Sequence, residues 1–168
     1  MLNEKKILLG VTGGIAAYKA VELASRLKKA GAVVKVVMTE NALEFITPLT
    51  FRTITGNSVT TKMFNPDAPI EHISLAEWAD AVVIAPATAN IIGKIANGIA
   101  DDLLSTLCLA TKAPILFVPA MNVNMYNNPF FIDNLKKLER LTPWIMIPES
   151  GMLACGYEGR GRFPQIEE

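Results

Sequence analysis

The stretch that decides the fold is KKILLGVTGGIAAYKAVELASRLKKAGAVVKVVMT, residues 5–39. It opens with a short apolar run, 5–12, and closes with a second one, 33–39. Between the two runs, residues 15–30 carry apolar side chains at helical spacing and charged side chains on the opposite face, and Gly31 is placed to end the helix. The stretch therefore predicts a strand, a helix and a second strand, the unit from which parallel sheets are built.

The rest of the chain continues this alternation of strands and helices. The predicted strands are almost continuously apolar, which is typical of strands buried on both faces of a parallel sheet. The sequence predicts one domain, residues 1–168, with a three-layer α/β/α Rossmann-like fold and a mostly parallel sheet of about five or six strands. The remaining predicted elements are short helices at 40–46 and 47–56, a loop at 57–70, a helical segment at 74–80, a strand at 81–85, helices at 88–97 and 101–111, a strand at 113–118, a helix at 125–141 and a strand at 144–147.

Composition argues against some classes of function and sets the expected compartment. Sixteen basic and sixteen acidic residues give a formal net charge of zero, so the whole chain attracts neither nucleic acid nor a membrane surface. The apolar run after Lys5 and Lys6 loosely resembles a signal peptide, but glycines interrupt it and it continues into an amphipathic helix. We therefore expect no targeting signal, no membrane span, no metal site and a location in the reducing cytoplasm.

The first two predicted strands end in turns that suit a nucleotide, because ligands of parallel sheets collect at the carboxyl ends of the strands. Gly13 and Gly14 open a helix whose free backbone N–H groups suit a phosphate, although an ordinary tight turn has the same sequence pattern. The spacing from Gly10 is not that of a dinucleotide fingerprint, and Thr39-Glu40 offers a carboxylate for a ribose diol. A mononucleotide fits this pattern better than a dinucleotide.

Two further strand ends carry polar residues in unusual company. The turn Ala85–Asn90 is built of small residues that let the backbone approach a flat ring, and Thr88 is also a natural helix cap. The turn Pro119–Tyr126 places Asn122, an uncharged amide, between two methionines. An amide can hold a carboxylate without neutralising it, which helps when that carboxylate must leave as carbon dioxide.

The chain has one histidine and a glycine-rich segment near its end. His72 is a candidate base, although a lone histidine is also common as a half-buried structural residue. Residues 151–162 (GMLACGYEGRGR) hold four glycines, two arginines and Cys155, a pattern that indicates a mobile cover or, alternatively, a tail with an incidental thiol. Cys108 lies on an apolar helix, so the two cysteines do not indicate a disulfide framework.

Taken in chain order, five motifs resemble one family. They are GGIAAYK at 13–19, His72 ahead of Trp78-Ala79-Asp80, APATAN at 85–90, PAMNVNMY at 119–126 and GMLACGYEGRGR at 151–162. Together they resemble the phosphopantothenoylcysteine decarboxylases, the coenzyme A branch of the homo-oligomeric flavin-containing cysteine decarboxylases. The resemblance spans essentially the whole chain, and the last two motifs are specific to the decarboxylases. Tyr126 stands where that pattern often has tryptophan.

The resemblance implies an FMN cofactor and a role for each matching residue. His72 would be the base, Asn122 the carboxylate holder and Cys155 the late proton donor, with a flexible loop at 150–162 covering the substrate. The other implied substrate contacts are Met125, Ala154 and Arg162. The residues implied to hold FMN are Gly13, Gly14, Ile15, Thr39, Ala87, Thr88, Ala89, Asn90 and Met121.

The implied reaction converts 4′-phosphopantothenoylcysteine to 4′-phosphopantetheine with no net redox change. The substrate thiol is oxidised to a thioaldehyde, carbon dioxide leaves as an enethiolate forms, and the enethiolate is then protonated and reduced. The resemblance also implies a homotrimer or a dodecamer of trimers. In many bacteria a phosphopantothenate–cysteine ligase domain follows, so we expect this chain to be a stand-alone form or the N-terminal half of such a fusion.

Three alternatives remain open at this stage. A flavin prenyltransferase shares the fold and the FMN site but should lack the Asn122 motif and the Cys155 loop. A peptidyl-cysteine decarboxylase of the same family would act on the C-terminus of a ribosomal peptide. A non-catalytic relative would bind a phosphatase, and the presence of His72, Asn122 and Cys155 argues against it.

Overall fold

The computed structural model describes residues 2–64, 70–152, 156 and 158–166. The described chain forms a five-stranded sheet, in the order β3-β2-β1-β4-β5, and a separate two-stranded sheet made of β6 and β7. The elements are β1 (Lys6–Val11), α1 (Ala17–Lys29), β2 (Val33–Met38), a 3-10 helix (Glu40–Glu44), α2 (Pro48–Thr55), β3 (Val59–Thr60), α3 (Glu71–Trp78), β4 (Ala81–Ala87), α4 (Ala89–Ala96), α5 (Leu103–Ala110), β5 (Ile115–Pro119), α6 (Val123–Tyr126), α7 (Pro129–Glu139), β6 (Glu149–Met152) and β7 (Glu158–Arg162).

All pairs of neighbouring strands in the large sheet are parallel, and β1 lies at its centre between β2 and β4. The chain winds outward from β1 in one direction through β2 and β3, and then in the other through β4 and β5. The strand order therefore reverses between β1 and β4. In an open α/β sheet this is the point where a crevice forms outside the carboxyl ends of the strands.

The two faces of the sheet are covered by different helices, which confirms the predicted three layers. Along β1, Leu8 packs into a core with α3, α4 and α5, whereas Leu9 packs into a second core with α1 and α2. Both side chains are completely buried, as alternation along a strand between two covered faces requires. No helix in the described ranges is long and apolar enough to cross a membrane.

Three sequence-based assignments differ from the structure. The helix predicted at 125–141 is two helices, because Asn128 caps α7 by accepting a hydrogen bond from the Phe130 N–H at 3.0 Å, and the proline after Asn128 begins a new helix. The strand predicted at 144–147 is wrong: only an isolated bridge between Phe117 and Ile145 extends the sheet there. The loop predicted at 57–70 contains the short edge strand β3.

The glycine-rich segment near the end of the chain is more regular than its sequence indicates. Its described parts form the antiparallel pair β6–β7, and the Met121 N–H donates to the carbonyl oxygen of Gly161 at 3.0 Å. Gly161 has φ of +142°, and a Cβ at this position would overlap the carbonyl oxygen of Met121. The glycines therefore let the hairpin lie directly against the turn that carries Asn122.

Candidate active site

A cleft of about 1010 Å³ opens at the carboxyl edge of the sheet, where the strand order reverses. Its walls are the turns that follow β1, β2, β4 and β5, together with the hairpin β6–β7 and the start of α5. Pockets that bind cofactors have volumes of roughly 300–1,000 Å³, so the cleft is large enough for a mononucleotide and a second small molecule.

Thr12 links the turn after β1 to the turn after β4. Its buried hydroxyl donates to the carbonyl oxygen of Pro86 at 2.6 Å and accepts from the Thr88 N–H at 3.2 Å. Next to it, Gly13 packs so closely on the second turn that a Cβ would lie 2.5 Å from the Cβ of Asn41. The three turns therefore form one rigid rim, although the sequence analysis assigned no role to Thr12 or Asn41.

Most residues that the resemblance assigns to FMN line this cleft, and the space they leave fits the cofactor. Among the described residues, none accepts a hydrogen bond from the backbone N–H of Gly13, Gly14 or Ile15, and all three residues line the cleft, so these donors are available for a phosphate. A Cβ on Gly14 would narrow the gap to the Thr88 methyl group to 3.6 Å. The predicted flavin residues that line the cleft are Gly13, Gly14, Ile15, Thr39, Thr88, Ala89, Asn90 and Met121.

Two of the predicted flavin residues, Thr88 and Ala87, have a structural role. Thr88 caps α4 as well, because its hydroxyl oxygen accepts from the Ile91 N–H at 3.5 Å. Ala87 does not line the cleft: its side chain is completely buried, and its carbonyl oxygen accepts from the Ala120 N–H at 3.2 Å. Ala87 thus links the turn after β4 to the turn after β5.

The predicted substrate side of the cleft contains Asn122, Met125 and Arg162. The Oδ1 atom of Asn122 accepts from the Asn124 N–H at 2.8 Å and so caps α6. This bond fixes the amide at the end of β5, beside the flavin turns. Ala154 and Cys155 lie outside the described residues.

His72 does not line the cleft of its own chain. It lies on α3, half-buried, with an Nδ1 atom that is buried and has no hydrogen-bond partner among the described residues. Its neighbour Glu71 accepts from the Thr60 hydroxyl at 2.8 Å through one carboxylate oxygen, while the other oxygen is buried and likewise unpartnered there. One chain therefore brings together the flavin turns and Asn122, but not His72.

Comparison with known proteins agrees with this geometry. The sequence matches the Flavoprotein family over residues 1–168. The chain belongs to this family. It is 50% identical over 169 residues to the coenzyme A biosynthesis bifunctional protein CoaBC of Bacillus subtilis (strain 168), and 49% identical over 163 residues to CoaBC of Escherichia coli (strain K12). These alignments cover 99% and 96% of this chain but only 42% and 40% of those relatives, so the chain spans about two fifths of their length.

Solved structures of similar proteins have the same fold. A mutant of PPC decarboxylase complexed with pantothenoylaminoethenethiol superposes with a TM-score of 0.84 at 34% identity, covering 97% of this chain and 92% of that one. The FMN-dependent cysteine decarboxylase SpaF superposes with a TM-score of 0.85 at 30% identity, covering 96% and 91% of the two chains. The FMN-binding protein AtHal3 gives 0.80 at 34% identity, covering 97% and 91%.

The wall of the cleft in this flavoprotein includes an ion-paired cluster that the sequence analysis missed. The ammonium of Lys94 lies 2.7 Å from a carboxylate oxygen of Asp101 and 2.7 Å from one of Asp102. Burial acts to lower the pKa of Lys94, but the two hydrogen-bonded carboxylates outweigh it and raise that pKa. Lys94 lies one helical turn after Asn90, and that spacing could have placed it on the same wall.

The pKa of Asp102 is lowered by the same contacts. Burial acts to raise it, but hydrogen bonds from Lys94 and from the Ser105 N–H prevail. Asp102 also forms a capping box with Ser105, whose N–H donates to it at 2.8 Å, so it begins α5 as well as holding Lys94. By contrast, burial raises the pKa of the Cys108 thiol on α5 to about 12, so that thiol stays protonated and packs as an apolar side chain.

Proposed function

We propose that this flavoprotein catalyses the FMN-dependent decarboxylation of 4′-phosphopantothenoylcysteine to 4′-phosphopantetheine. The observation that carries the proposal is the position of Asn122, which faces the same cleft as the open turn Gly13–Ile15 and the turn at Thr88. Relatives named for coenzyme A biosynthesis and for PPC decarboxylation, at 50% and 34% identity, support this choice of substrate.

The cofactor would be held by the rim of three turns. The backbone N–H groups of Gly13, Gly14 and Ile15 would bind its phosphate, and the small turn residues beside Thr88 and Asn90 would face its ring. FMN, when bound, supplies the electron sink that the substrate lacks, since it can take up and later return the two electrons of the thiol carbon.

Three side chains of the chain itself would handle the substrate's carboxylate and protons. The amide of Asn122 would hold the carboxylate by hydrogen bonding and leave its negative charge intact, so that carbon dioxide can depart. His72 would accept the proton of the substrate thiol. Cys155 would donate a proton to the enethiolate after carbon dioxide has left, with the segment 150–162 covering the site.

We also propose that the working enzyme is built from trimers and that His72 acts on the cleft of a neighbouring subunit. The Nδ1 atom of His72 is buried without a hydrogen-bond partner among the described residues, and His72 lies outside the cleft of its own chain; both observations support this arrangement. A phosphopantothenate–cysteine ligase, fused or separate, is the proposed partner, because the bifunctional relatives are more than twice as long as the matched region. The cytoplasmic location remains a prediction from the sequence.

The first test is the absorption spectrum of the purified protein. We expect flavin bands near those of free FMN, or uptake of FMN on titration of colourless protein, because the cleft offers an open phosphate turn and a flat-ring site. Carbon dioxide release should then be measured with 4′-phosphopantothenoylcysteine and with a peptide that ends in cysteine. Absence of FMN binding contradicts the cofactor assignment, and turnover of the peptide alone would favour the peptidyl-cysteine alternative.

A further inference from the structure

Three cationic side chains line the cleft, and they are not equivalent. Lys94 is neutralised by Asp101 and Asp102 at 2.7 Å each. Lys19 and Arg162 form no ion pair with a carboxylate anywhere in the described ranges of the chain. Lys19 and Arg162 are therefore the cations of the cleft wall that no direct ion pair among the described residues neutralises, and Glu149, opposite Arg162 in the β6–β7 pair, is a nearby carboxylate that does not bridge to either of them.

Lys19 contacts Phe163, the residue that directly follows Arg162. The ammonium of Lys19, on the first turn of α1, donates to the carbonyl oxygen of Phe163 at 2.9 Å and lies 5.4 Å from the centroid of the Phe163 ring. Phe163 is buried, so this contact has a fixed position. Because Arg162 directly precedes Phe163 in the chain, the contact sets the ammonium beside the backbone that carries the guanidinium.

The positive charges of Lys19 and Arg162 repel each other across the wall of the cleft. Burial is the largest cause that lowers the pKa of Lys19, and the positive charge of Arg162 is the second. Glu149 and Glu22 offset the shift only in part. Two like charges held together at the wall of a cleft are stabilised when an anion binds between them.

We propose that Lys19 and Arg162 form a subsite for a phosphate monoester. A phosphate monoester carries about −1.5 to −2 charges at pH 7 and three strong acceptor oxygens. The guanidinium can bind two of these oxygens at once, while the ammonium acts as a point charge. Within the proposed function, two groups have this chemistry: the terminal phosphate of the substrate and the 5′-phosphate of FMN.

The phosphate of the substrate is the favoured ligand of this pair. Arg162 ends β7, and the carbonyl oxygen of its neighbour Gly161 accepts from the Met121 N–H at 3.0 Å, so the hairpin holds Arg162 at the cleft. The phosphate of FMN has the backbone N–H groups of Gly13 to Ile15, which leaves the pair available for the other phosphate. This subsite rests on the proposed function for the identity of its ligand, but its charge pair can be tested separately.

The test uses the FMN-loaded protein and two non-reactive probes, 4′-phosphopantothenate and pantothenate, with binding measured by calorimetry. We expect the phosphorylated probe to bind at least about tenfold more tightly, since its phosphate would form charge-assisted hydrogen bonds with the pair. Arg162→Gln should reduce that ratio by about tenfold and leave pantothenate binding unchanged. Lys19→Met should act in the same way, and Arg162→Gln keeps the test valid if Lys19→Met fails to fold.

Two matched variants serve as controls. Lys29→Met removes an exposed cation from the same helix as Lys19, and Arg160→Gln removes one from the same strand as Arg162, yet neither Lys29 nor Arg160 lines the cleft. Both should keep the wild-type ratio. Equal binding of the two probes to wild-type protein, or equal losses for both probes in Arg162→Gln, contradicts a subsite for the phosphate of the substrate.

A second arm distinguishes the two sources of phosphate. FMN and riboflavin are titrated into flavin-free protein, and we expect Arg162→Gln to leave the ratio of their dissociation constants unchanged. A loss of that ratio, with the probe ratio intact, keeps the phosphate subsite and assigns it to FMN. If wild-type protein binds 4′-phosphopantothenate through this pair but releases no carbon dioxide from 4′-phosphopantothenoylcysteine, the proposed function fails and the subsite stands.

Discussion

At the scale of single residues, His72, Asn122 and Cys155 divide the proposed reaction into an early and a late part. Cys155→Ser should bind FMN and still release carbon dioxide, because a hydroxyl is a much weaker acid than a thiol and only the last protonation needs the acid. We expect single-turnover experiments to show an enethiol instead of finished thiol product. Finished product at the wild-type rate would mean that the thiol of Cys155 is incidental.

His72→Asn and Asn122→Asp belong to the early part of the reaction. Loss of the base should slow carbon dioxide release by about 10²–10⁴-fold. An aspartate at 122 can still accept the hydrogen bond from the Asn124 N–H that caps α6, so the fold should persist. Its charge would repel the substrate carboxylate, and we expect at least about a hundredfold loss of carbon dioxide release. Retention of wild-type release in either variant contradicts the role assigned to that residue.

Gly161 tests whether the close approach of the hairpin supports the site. Gly161→Ala should place a Cβ against the carbonyl oxygen of Met121 at a φ of +142°. Gly98→Ala is the matched control: Gly98 also has positive φ, +68°, but no atom lies within 4 Å of the added Cβ. We expect the control to lower the melting temperature by about 2–4 °C, the cost of the backbone conformation alone. Gly161→Ala should lower it by at least about twice as much, and equal shifts would show that the contact with Met121 is unimportant.

The residues that sequence reasoning found are those with a local signal. Gly13, Gly14 and Asn122 follow apolar runs directly, and a turn after a strand is readable without knowing the partner strands. Thr12 could not be found in this way, because its hydrogen bonds reach Pro86 and Thr88 only once β1 lies beside β4. Its role depends on the sheet, not on neighbouring residues in the sequence.

At the scale of elements, Asp102 links the start of α5 to α4 and gives the fold a pH-dependent contact. The lowered pKa of Asp102 means that this contact stabilises the folded state above the ordinary aspartate value of about 3.9. The stabilisation is lost as the pH falls through the lowered folded value. The free energy of unfolding of wild-type protein should therefore fall as the pH is lowered below about 5. In Asp102→Asn, the part of this decrease that comes from protonation of Asp102 should be absent.

The size of this effect follows from the exposure of the pair. The side chains of Lys94 and Asp102 are 18% and 30% exposed, so we expect about 1 kcal/mol from Asp102→Asn at pH 7, with the cap retained. Asp102→Ala should cost about 1 kcal/mol more, since it also removes the cap. Asp133→Asn is the control, because Asp133 is 67% exposed and lies 3.6 Å from Lys136. Denaturant unfolding at several pH values measures all three, and identical acid profiles for Asp102→Asn and wild type contradict this account.

Helices and strands were predictable from the sequence where their own residues show a periodic apolar pattern. They were not predictable where contact with a distant part of the chain determines the structure. α1 and the buried strands β1, β2 and β4 have apolar periods that stand out in the sequence, and the structure reproduces them to within a residue or two. The apolar run 144–147 resembles a strand, but the sheet accepts only one bridge from it, at Ile145. The glycines of β7 disfavour a strand, yet a Cβ on Gly161 would overlap Met121 and one on Gly159 would overlap Val123.

At the scale of the whole molecule, several large apolar side chains are exposed in the first half of the chain. Ile15 and Tyr18, which line the cleft, are 60% and 61% exposed, and Phe45 and Leu49 are 48% and 68% exposed. Exposed apolar side chains of this size are available for contacts between copies of the chain. A neutral net charge does little to oppose association between copies.

Assembly into an oligomer should change the hydrogen bonding of the buried Nδ1 atom of His72. Within residues 2–64, 70–152, 156 and 158–166 this atom has no hydrogen-bond partner. A buried polar atom normally has one, and a neighbouring subunit would supply it. We therefore expect light scattering at micromolar concentration to give three times the mass of one chain, or a multiple of that trimer. Mixing inactive His72→Asn with inactive Asn122→Asp subunits should restore part of the activity, because some clefts would then combine an intact Asn122 with an intact His72 from a neighbour. A monomeric mass, or mixed oligomers that stay inactive, would show that His72 does not act between subunits.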